Sequence, residues 1–188
     1  MEKKNTVIVC IGGKARHGKD ETARAIKRCM DTHGGVKCLI THQADLLKHI
    51  ARTMFDWDGK KDEAGRRLLQ QLGTDVFRKK DPNYWVDHLV RTFKVLDGAF
   101  DFIIIPDTRF PNEIEEFKKA GFHTVYLRVT RPNFVSPLTP EQQAHASETA
   151  LDQYPFDMGI VNNGTLQDLY HDAAKIAHVL IDLRAQER

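Results

Sequence analysis

The fold of this chain is decided by the stretch Gly13-Lys14-Ala15-Arg16-His17-Gly18-Lys19-Asp20, which follows an apolar run from residue 6 to residue 11. Glycines at its first and sixth positions allow backbone N–H groups to turn inward around a phosphate, and the lysine after them bridges the outer phosphates of a nucleotide. The usual pattern ends in Ser or Thr, whose hydroxyl ligates magnesium, whereas this chain has Asp20. The stretch therefore predicts a phosphate-binding loop with a carboxylate in place of the hydroxyl.

The segments on either side of the loop have the order that such a site requires. Residues 7 to 11 form a continuous apolar run, which is typical of a parallel strand buried on both faces. After Lys19 the apolar side chains recur at helical spacing until Gly34 and Gly35 end the pattern. A helix that begins at the loop adds the positive end of its dipole to the loop amides. The alternative interpretation is an ordinary glycine-rich turn between a strand and a helix.

Length and composition are those of one globular domain spanning residues 1–188. The chain is 41% hydrophobic and 29% charged, and its formal net charge of +2 indicates neither a nucleic-acid nor a membrane partner. No apolar run reaches membrane-spanning length, and we expect no signal peptide. The cysteines have no metal-type spacing, which favours reduced thiols in a cytoplasmic protein; they are Cys10, Cys29 and Cys38. We expect small-molecule substrates and either a monomer or a homodimer.

Strands and helices alternate along most of the chain. Further strands are predicted at residues 36–41, 102–105, 124–129 and 158–161, and helices at 44–54, 63–77, 84–96, 113–120 and 166–183. This alternation predicts an α/β fold in which a parallel sheet has helices on both faces and binds ligands at the carboxyl ends of its strands. Two segments interrupt the rhythm. Residues 42–97 hold three helices without a strand and would suit a substrate-binding insertion, whereas the Pro-rich, polar residues 131–148 would suit a mobile lid.

A second group of chemically active residues follows the strand at 102–105. Asp107 comes at the carboxyl end of that strand, where a carboxylate commonly faces magnesium opposite a phosphate-binding loop; a turn or cap carboxylate is the alternative. Arg109 can offer paired hydrogen bonds to a phosphate, and its alternative is a surface salt bridge. We therefore take Asp20 and Asp107 as candidate magnesium ligands. Zinc is not expected, because His-x3-His and Cys-x2-Cys spacings do not occur.

Five motifs in order carry a resemblance to a known family. They are residues 12–20, Leu68-Leu69-Gln70-Gln71-Leu72-Gly73-Thr74-Asp75 with the following Arg78 and residues 81–86, Pro106-Asp107-Thr108-Arg109-Phe110-Pro111-Asn112-Glu113, His145-Ala146-Ser147-Glu148, and Asn162-Asn163-Gly164-Thr165-Leu166. Together they resemble the phage-type deoxynucleoside monophosphate kinases, a branch of the P-loop kinases, over about residues 7 to 170. Dephospho-coenzyme A kinase and phosphomevalonate kinase share several of these elements. A P-loop protein that binds ATP without transferring phosphate is a further alternative.

The resemblance implies a three-layer P-loop kinase fold with a five-stranded parallel sheet. It also implies transfer of the terminal phosphoryl group of ATP, with Mg²⁺, to a (deoxy)nucleoside monophosphate, giving the diphosphate. The expected nucleotide-binding residues are Gly13, Lys14, Ala15, Arg16, His17, Gly18, Lys19, Asp20 and Glu21 at the phosphates, and Asn162, Asn163 and Gly164 against the adenine. Arg16 and His17 have the alternative of pointing to solvent.

The same resemblance, together with side-chain chemistry, gives candidates for catalysis and acceptor binding. Residues 132–148 contain no Lys or Arg, so the positive charge at the reaction centre must come from elsewhere. The candidate catalytic residues are Lys19, Asp107, Arg109, Arg128 and Arg131. The candidate acceptor residues are Asp45, Gln71, Arg78, Trp85, Arg109 and Glu148. For Asp45, Gln71 and Trp85 the alternatives are a helix cap, an exposed amide and a core aromatic, and for Glu148 the choice is between orienting an arginine and capping a helix.

One position departs from the family pattern. The family has Asp after the loop lysine and then Thr, whereas this chain reads Asp20-Glu21-Thr22. The hydroxyl is therefore one residue later, and about 100° further around the helix, than the family pattern places it. Asp20 is then expected to hold magnesium directly or through water.

Overall fold

The central strand of the sheet is Val7–Gly12 (β1), the apolar run that precedes the predicted loop. In the computed structural model, which describes residues 5–186, β1 pairs in parallel with one strand on each side. The other strands are Cys38–Ile40 (β2), Phe102–Ile105 (β3), His123–Thr130 (β4) and Met158–Val161 (β5). The strand order is β2-β3-β1-β4-β5, and all pairs are parallel. The predicted five-stranded parallel sheet is confirmed.

The predicted helices are present, one of them with a change of winding, and two short helices at residues 140–144 and 146–149 occur where none was predicted. They are Lys19–Thr32 (α1), Ala44–Met54 (α2), Glu63–Gln70 (α3), Tyr84–Val95 (α4), Asn112–Lys119 (α5), Pro140–Ala144 (α6), Ala146–Thr149 (α7) and Leu166–Gln186 (α8). Between α3 and α4 the chain continues as a π-helix, Gln71–Arg78. The helix predicted at 63–77 is therefore an α-helix followed by a π-helix, a winding often found near functional sites.

Helices cover both faces of the sheet, as the alternation predicted. Successive side chains of a strand point to opposite faces, so β1 contributes to two separate clusters. On one face Val7, Val9 and Ile11 pack with α1 and α8, and on the other Ile8 and Cys10 pack with α4 and α5. Burial on both sides explains why β1 is continuously apolar.

The segment 42–97 has a small apolar centre of its own, formed by Ala51, Trp57 and Leu72. The segment 131–148, for which no regular pattern is predicted, contains the short helix α6 and the first three residues of α7. In the part of the chain that the structure describes, no helix has both the length and the apolar character needed to cross a membrane.

Candidate active site

The predicted phosphate-binding loop connects β1 to α1, and its backbone depends on two glycines. Gly13 has a φ of 143° and Gly18 a φ of 101°, in the region that L side chains rarely adopt. A Cβ atom at Gly13 would lie 2.2 Å from the carbonyl O of Val129. α1 begins directly after Gly18. The loop therefore leads into a helix N-terminus, where free N–H groups and the helix dipole favour an anion.

Lys19 is held within this loop. Its Nζ donates hydrogen bonds to the carbonyl O atoms of Gly13 (2.7 Å) and Lys14 (2.9 Å). The side chain is buried, and that burial, followed by the charge of Arg109, lowers the pKa of Lys19 to about 8. The ammonium group therefore lies beside the loop amides, where a lysine that bridges phosphates is needed.

The turn after β5 braces the loop from the other side. Asn162 Nδ2 donates to the carbonyl O of His17 (3.0 Å), and His17 Nδ1 accepts from the backbone N of Arg131 (3.2 Å). Burial lowers the pKa of His17. The ring thus holds a neighbouring strand end rather than pointing freely to solvent. The adenine contact expected for Asn162, Asn163 and Gly164 stays a prediction.

Two basic residues of the loop have different surroundings. Lys14 Nζ donates to the carbonyl O of Glu148 (2.6 Å) and to Asp152 Oδ1 (2.5 Å), so it ties the chain around α7 to the loop. Arg16 is exposed and has a φ of 61°. Its contact with phosphate stays a prediction.

One carboxylate joins the loop to Arg109. Glu148 Oε2 accepts a hydrogen bond from the amide of Ala15 (2.9 Å), and its Oε1 accepts one from Arg109 Nη1 (2.5 Å). The same Nη1 donates to the carbonyl O of Ser147 (3.1 Å). The Glu148 side chain is only 8% exposed, so this charge is shielded from water. The sequence predicts that Glu148 either orients an arginine, without indicating which one, or caps a helix; in the structure its arginine partner is Arg109.

Asp20 faces a residue that the sequence analysis missed. Its Oδ1 lies 3.2 Å from His42 Nε2, and this hydrogen bond holds the pKa of Asp20 below its usual range and raises that of His42. The side chain of Asp20 is 61% exposed, so it is accessible to a cation. His42 comes two residues after β2. A polar residue just past a strand end is the sequence signal that would have identified it.

Glu21 is turned away from the loop, and Thr22 is buried. Glu21 accepts hydrogen bonds from the Tyr170 hydroxyl (2.6 Å) and from Arg24 Nη2 (2.7 Å), so its carboxylate is turned toward α8. Thr22 is fully buried. The nucleotide contact expected for Glu21 is therefore not supported, because each helical residue is rotated about 100° from the one before.

Asp107 caps a helix. Its Oδ1 accepts from the backbone N of Gln43 (2.8 Å) and its Oδ2 from that of Ala44 (3.1 Å), at the start of α2. Both oxygens therefore serve backbone amides, as in the cap alternative, and this arrangement does not support Asp107 as a direct magnesium ligand. No three His, Cys, Asp or Glu side chains within residues 5–186 converge as a metal site. Mg²⁺ is commonly held by one or two carboxylates together with water and phosphate oxygens. The single exposed carboxylate of Asp20 is sufficient for such a site.

A cavity of about 390 Å³ lies between the segment 42–97 and the helices α6 and α7. Its walls come from α2, α3, the π-helix, the turn after β3 and residues 138–148. The predicted site residues that line it are Arg78, Trp85, Asp107, Arg109 and Glu148. A smaller cavity of about 250 Å³ lies over the loop, and Arg109 and Glu148 line both. We call the larger one the acceptor cavity.

Two predicted acceptor residues do not line this cavity. Asp45 accepts from the backbone N of His42 (3.1 Å) and from Lys48 Nζ (3.0 Å), which closes the first turn of α2. Gln71 is exposed where α3 gives way to the π-helix, and its neighbour Gln70 lines the cavity instead. The prediction for Gln71 rests on its amide chemistry and on the family resemblance, and neither shows which side chains face the cavity.

Trp85 forms part of the cavity wall and is also a core residue. Its indole Nε1 donates to the carbonyl O of Gly73 (3.0 Å), and its ring packs against Phe77 and Tyr84, each at 4.9 Å between ring centroids. The side chain is 4% exposed. Stacking of Trp85 on a base stays a prediction.

Arg78 pairs with Glu113, which the sequence analysis did not consider as a site residue. Arg78 Nη2 donates to Glu113 Oε1, while Glu113 Oε2 accepts from the backbone N of Arg109 (2.6 Å) and of Phe110 (3.2 Å). Glu113 is buried, and that burial raises its pKa although the charge of Arg78 opposes the change. The Arg78 guanidinium lies 4.2 Å from the centroid of the Phe110 ring. Glu113 therefore holds Arg78 and the backbone of the Arg109 turn together.

Comparison with known proteins identifies the family of this chain. A family model described as Deoxynucleotide monophosphate kinase matches residues 35–173. The chain belongs to this family. The match includes the residues of the acceptor cavity, and it begins after the phosphate-binding loop.

Individual relatives include two phage enzymes of the same name. The deoxynucleotide monophosphate kinases of Escherichia phage RB69 and Enterobacteria phage T4 are 32% identical over 113 residues and 28% identical over 117 residues, or 59% and 61% of this chain. The aligned parts make up 43% and 46% of those proteins, so the chain spans less than half of their length. An uncharacterised protein of Ictalurid herpesvirus 1 (strain Auburn) is 32% identical over 165 residues, which cover 87% of this chain and 67% of that protein.

Solved structures show the same architecture at low identity. The Mycobacterium tuberculosis APS kinase in complex with AMPPNP and APS has a TM-score of 0.53 and 11% identity, over 94% of this chain and 99% of that one. An unliganded sugar kinase from Janibacter sp. HTCC2649 has a TM-score of 0.52 and 14% identity, over 95% of each chain. This deoxynucleotide monophosphate kinase family member therefore has a P-loop kinase fold.

In this family member, two of the predicted catalytic arginines have other partners. Arg128 donates to the carbonyl O atoms of Leu151, Asp152 (3.2 Å) and Tyr154 (2.6 Å), so it closes the turn after α7. The Arg131 guanidinium lies 4.6 Å from the centroid of the Phe134 ring and is exposed. These partners do not support the catalytic role expected for Arg128, and that of Arg131 stays a prediction. Arg109 is the arginine that borders both cavities.

Proposed function

We propose that this chain transfers the terminal phosphoryl group of ATP to a deoxynucleoside monophosphate, giving ADP and the deoxynucleoside diphosphate. The observation that carries the proposal is the position of Arg109, which lines both the cavity over the phosphate-binding loop and the acceptor cavity. Two adjoining sites with a shared arginine suit the transfer of a phosphoryl group between two substrates. A protein that only binds a nucleotide needs one site.

The proposed division of labour follows from the charge of the reaction. Phosphoryl transfer has a loose transition state whose negative charge lies on the equatorial oxygens, so catalysis consists largely of positioning and positive charge. The loop amides and Lys19 would bind the β and γ phosphates of ATP. Arg109, oriented by Glu148 (2.5 Å), would neutralise charge on the group in transit.

Magnesium fits the site through one carboxylate. Asp20 follows Lys19, is largely exposed, and would hold Mg²⁺ directly or through water. The ion would neutralise charge on the ATP phosphates. His42, at 3.2 Å, orients the Asp20 carboxylate and lowers its pKa.

For the acceptor, we propose that the segment 42–97 forms the binding region and that residues 131–148 act as a lid over it. Arg78 would bind the acceptor phosphate through the N–H groups that Glu113 leaves free. Trp85 and the apolar side chains beside it, among them Leu47 and Leu69, would enclose the nucleoside.

We place the protein in the cytoplasm, in keeping with three free cysteines.

A coupled assay of ADP release tests this function. The panel is dGMP, dTMP, dCMP, dAMP, AMP and dephospho-coenzyme A, each with ATP and Mg²⁺. Stimulation by one or more deoxynucleoside monophosphates is the expected result, and Lys19→Ala should abolish it in a protein that remains folded by circular dichroism. Stimulation by dephospho-coenzyme A alone would support a kinase of another phosphorylated acceptor. ATP binding with no stimulation by any acceptor would refute a kinase function.

A further inference from the structure

Gln43 carries a buried amide without a hydrogen-bond partner. The residue lies between β2 and α2, and its side chain is 5% exposed. Neither its Oε1 nor its Nε2 has a partner. Buried polar groups are nearly always paired, because leaving one unpaired costs the free energy of removing it from water. The unpaired amide of Gln43 therefore calls for a hydrogen-bond partner from outside the protein.

This side chain belongs to the wall of the acceptor cavity. Its backbone is held in place, since the N–H of Gln43 donates to Asp107 Oδ1 at 2.8 Å. Leu47, one helical turn further along α2, lines the same cavity and contacts Gly73, where a Cβ atom would lie 2.8 Å from Leu47 Cδ2. The carbonyl O of Gly73 in turn accepts from Trp85 Nε1. Gln43 therefore lines the same cavity as Leu47, Gly73 and Trp85.

The hydrogen-bonding chemistry of an amide limits which chemical groups of a ligand could pair with Gln43. A glutamine side chain offers N–H donors and a carbonyl acceptor side by side. A phosphate group has only acceptors and would leave Oε1 unpaired. The edge of a nucleobase presents a donor and an acceptor next to each other, and a sugar hydroxyl combines both in one group.

We infer that Gln43 determines acceptor specificity by giving one hydrogen bond to the nucleoside part of the acceptor and accepting another from it. The inference rests on the proposed function, because it requires a nucleoside monophosphate in this cavity. It moves the base-reading role from Gln71, which the structure leaves exposed outside the cavity, to Gln43. The base edge is the ligand group that uses both amide atoms at once.

The test uses Gln43→Met, which keeps the length of the side chain and removes the amide. We expect the KM for the preferred deoxynucleoside monophosphate to rise about tenfold, as the loss of one to two buried hydrogen bonds implies. The KM for ATP should change by less than about twofold, because Gln43 does not line the cavity over the loop. The melting temperature should not fall, since the amide makes no bond within the protein. The matched control is Gln167→Met, the same change at an exposed position of α8.

Two comparisons in the kinetic assay show whether Gln43 binds the base or the sugar of the acceptor. A changed ranking among dGMP, dTMP, dCMP and dAMP supports reading of the base edge. An equal loss for all four bases, with a changed ratio of dGMP to GMP, supports reading of the sugar. An unchanged acceptor KM, or equal rises in the KM for ATP and for the acceptor, would overturn the inference, as would an effect of Gln71→Met with none at Gln43.

Titration calorimetry tests the role of Gln43 separately from the proposed kinase function. Binding of the deoxynucleoside monophosphates to the wild-type protein and to Gln43→Met is measured without ATP, so the result does not depend on turnover. Weaker binding to the variant supports the inference even if the chain proves inactive. Normal turnover by the wild type with equal binding to both proteins would overturn only the role of Gln43. Absence of binding by any of the four monophosphates to the wild type would overturn both.

Discussion

The carboxylate of Glu148 accepts a hydrogen bond from the amide of Ala15 at 2.9 Å, although 133 positions separate the two residues in the sequence. A side-chain anion thus binds a backbone donor of the phosphate-binding loop. The same carboxylate binds Arg109 at 2.5 Å. Glu148 therefore connects the predicted lid segment both to the ATP side of the site and to the arginine between the two cavities.

Replacement of Glu148 by Gln is expected to change binding and catalysis in opposite directions. The variant lacks the negative charge near the loop, so the dissociation constant for ATP, measured without acceptor, should fall severalfold. Arg109 loses its charge-assisted partner, so kcat should fall about tenfold or more. Equilibrium dialysis and steady-state kinetics measure the two effects. Glu141→Gln, an exposed change on α6, is the control, and a parallel loss of ATP affinity and kcat would contradict this role.

The pair Arg78 and Glu113 is expected to matter for stability. Glu113 is 1% exposed and Arg78 is 16% exposed, so Glu113→Ala leaves a shielded guanidinium without its partner. We expect the free energy of unfolding in urea to fall by about 2–4 kcal/mol. The double variant Arg78→Met with Glu113→Leu should recover part of that loss, because both charges are then absent.

A surface pair on the same helix provides the comparison. Glu116→Ala removes the partner of Lys119, whose side chain is 68% exposed, and should cost at most about 0.5 kcal/mol. Equal losses for Glu113→Ala and Glu116→Ala would show that burial of the Arg78 pair contributes nothing.

The buried cysteines predict a loss of stability in alkali. Burial raises the pKa of Cys10 and of Cys38 from 9.0 to about 12. Above pH 9 the unfolded chain ionises while the native thiols stay protonated, so rising pH favours unfolding between pH 9 and 12. We expect each thiol to account for about 1–2 kcal/mol by pH 10.5. Urea unfolding of wild type and of Cys38→Ala at pH 8 and pH 10.5 measures this; equal pH dependence of the two proteins would contradict it.

Local patterns in the sequence were sufficient to predict the central strand and the loop that follows it. Val7 to Ile11 predicted a strand buried on both faces, and the glycines Gly13 and Gly18 predicted the loop after it, because both signals are local in sequence. The partners of Asp107 are not local, since its carboxylate accepts from amides at Gln43 and Ala44 across the sheet edge. A strand-end aspartate has the same sequence signature whether it binds a metal or a helix N-terminus.

The residues that line the acceptor cavity could not be predicted from the sequence, because they come from segments that lie far apart in the chain. Gln70 lines it and the neighbouring Gln71 does not, although the two have the same side chain. Glu113 could have been found from its place in the first turn of a predicted helix, four residues after Arg109. Its partner Arg78, however, is 35 residues away, and only the fold shows that the two side chains meet.

Arg128 and Arg109 offer a direct test of which arginine serves catalysis. Arg128 binds three carbonyl O atoms, of Leu151, Asp152 and Tyr154, and a lysine has neither the planar fork nor the reach to replace those bonds. Arg128→Lys should therefore lower the free energy of unfolding by about 1–2 kcal/mol while changing kcat by less than about threefold at a temperature where the variant is folded.

Arg109→Lys should lower kcat strongly and leave the free energy of unfolding nearly unchanged. The lysine keeps the positive charge but loses the paired geometry that a phosphoryl group in transit requires, so kcat should fall about 100-fold with little change in stability. Chemical denaturation and the ADP-release assay on the same preparations compare the two variants. A large loss of kcat in Arg128→Lys without loss of stability, with Arg109→Lys close to wild type, would return the catalytic role to Arg128 on β4.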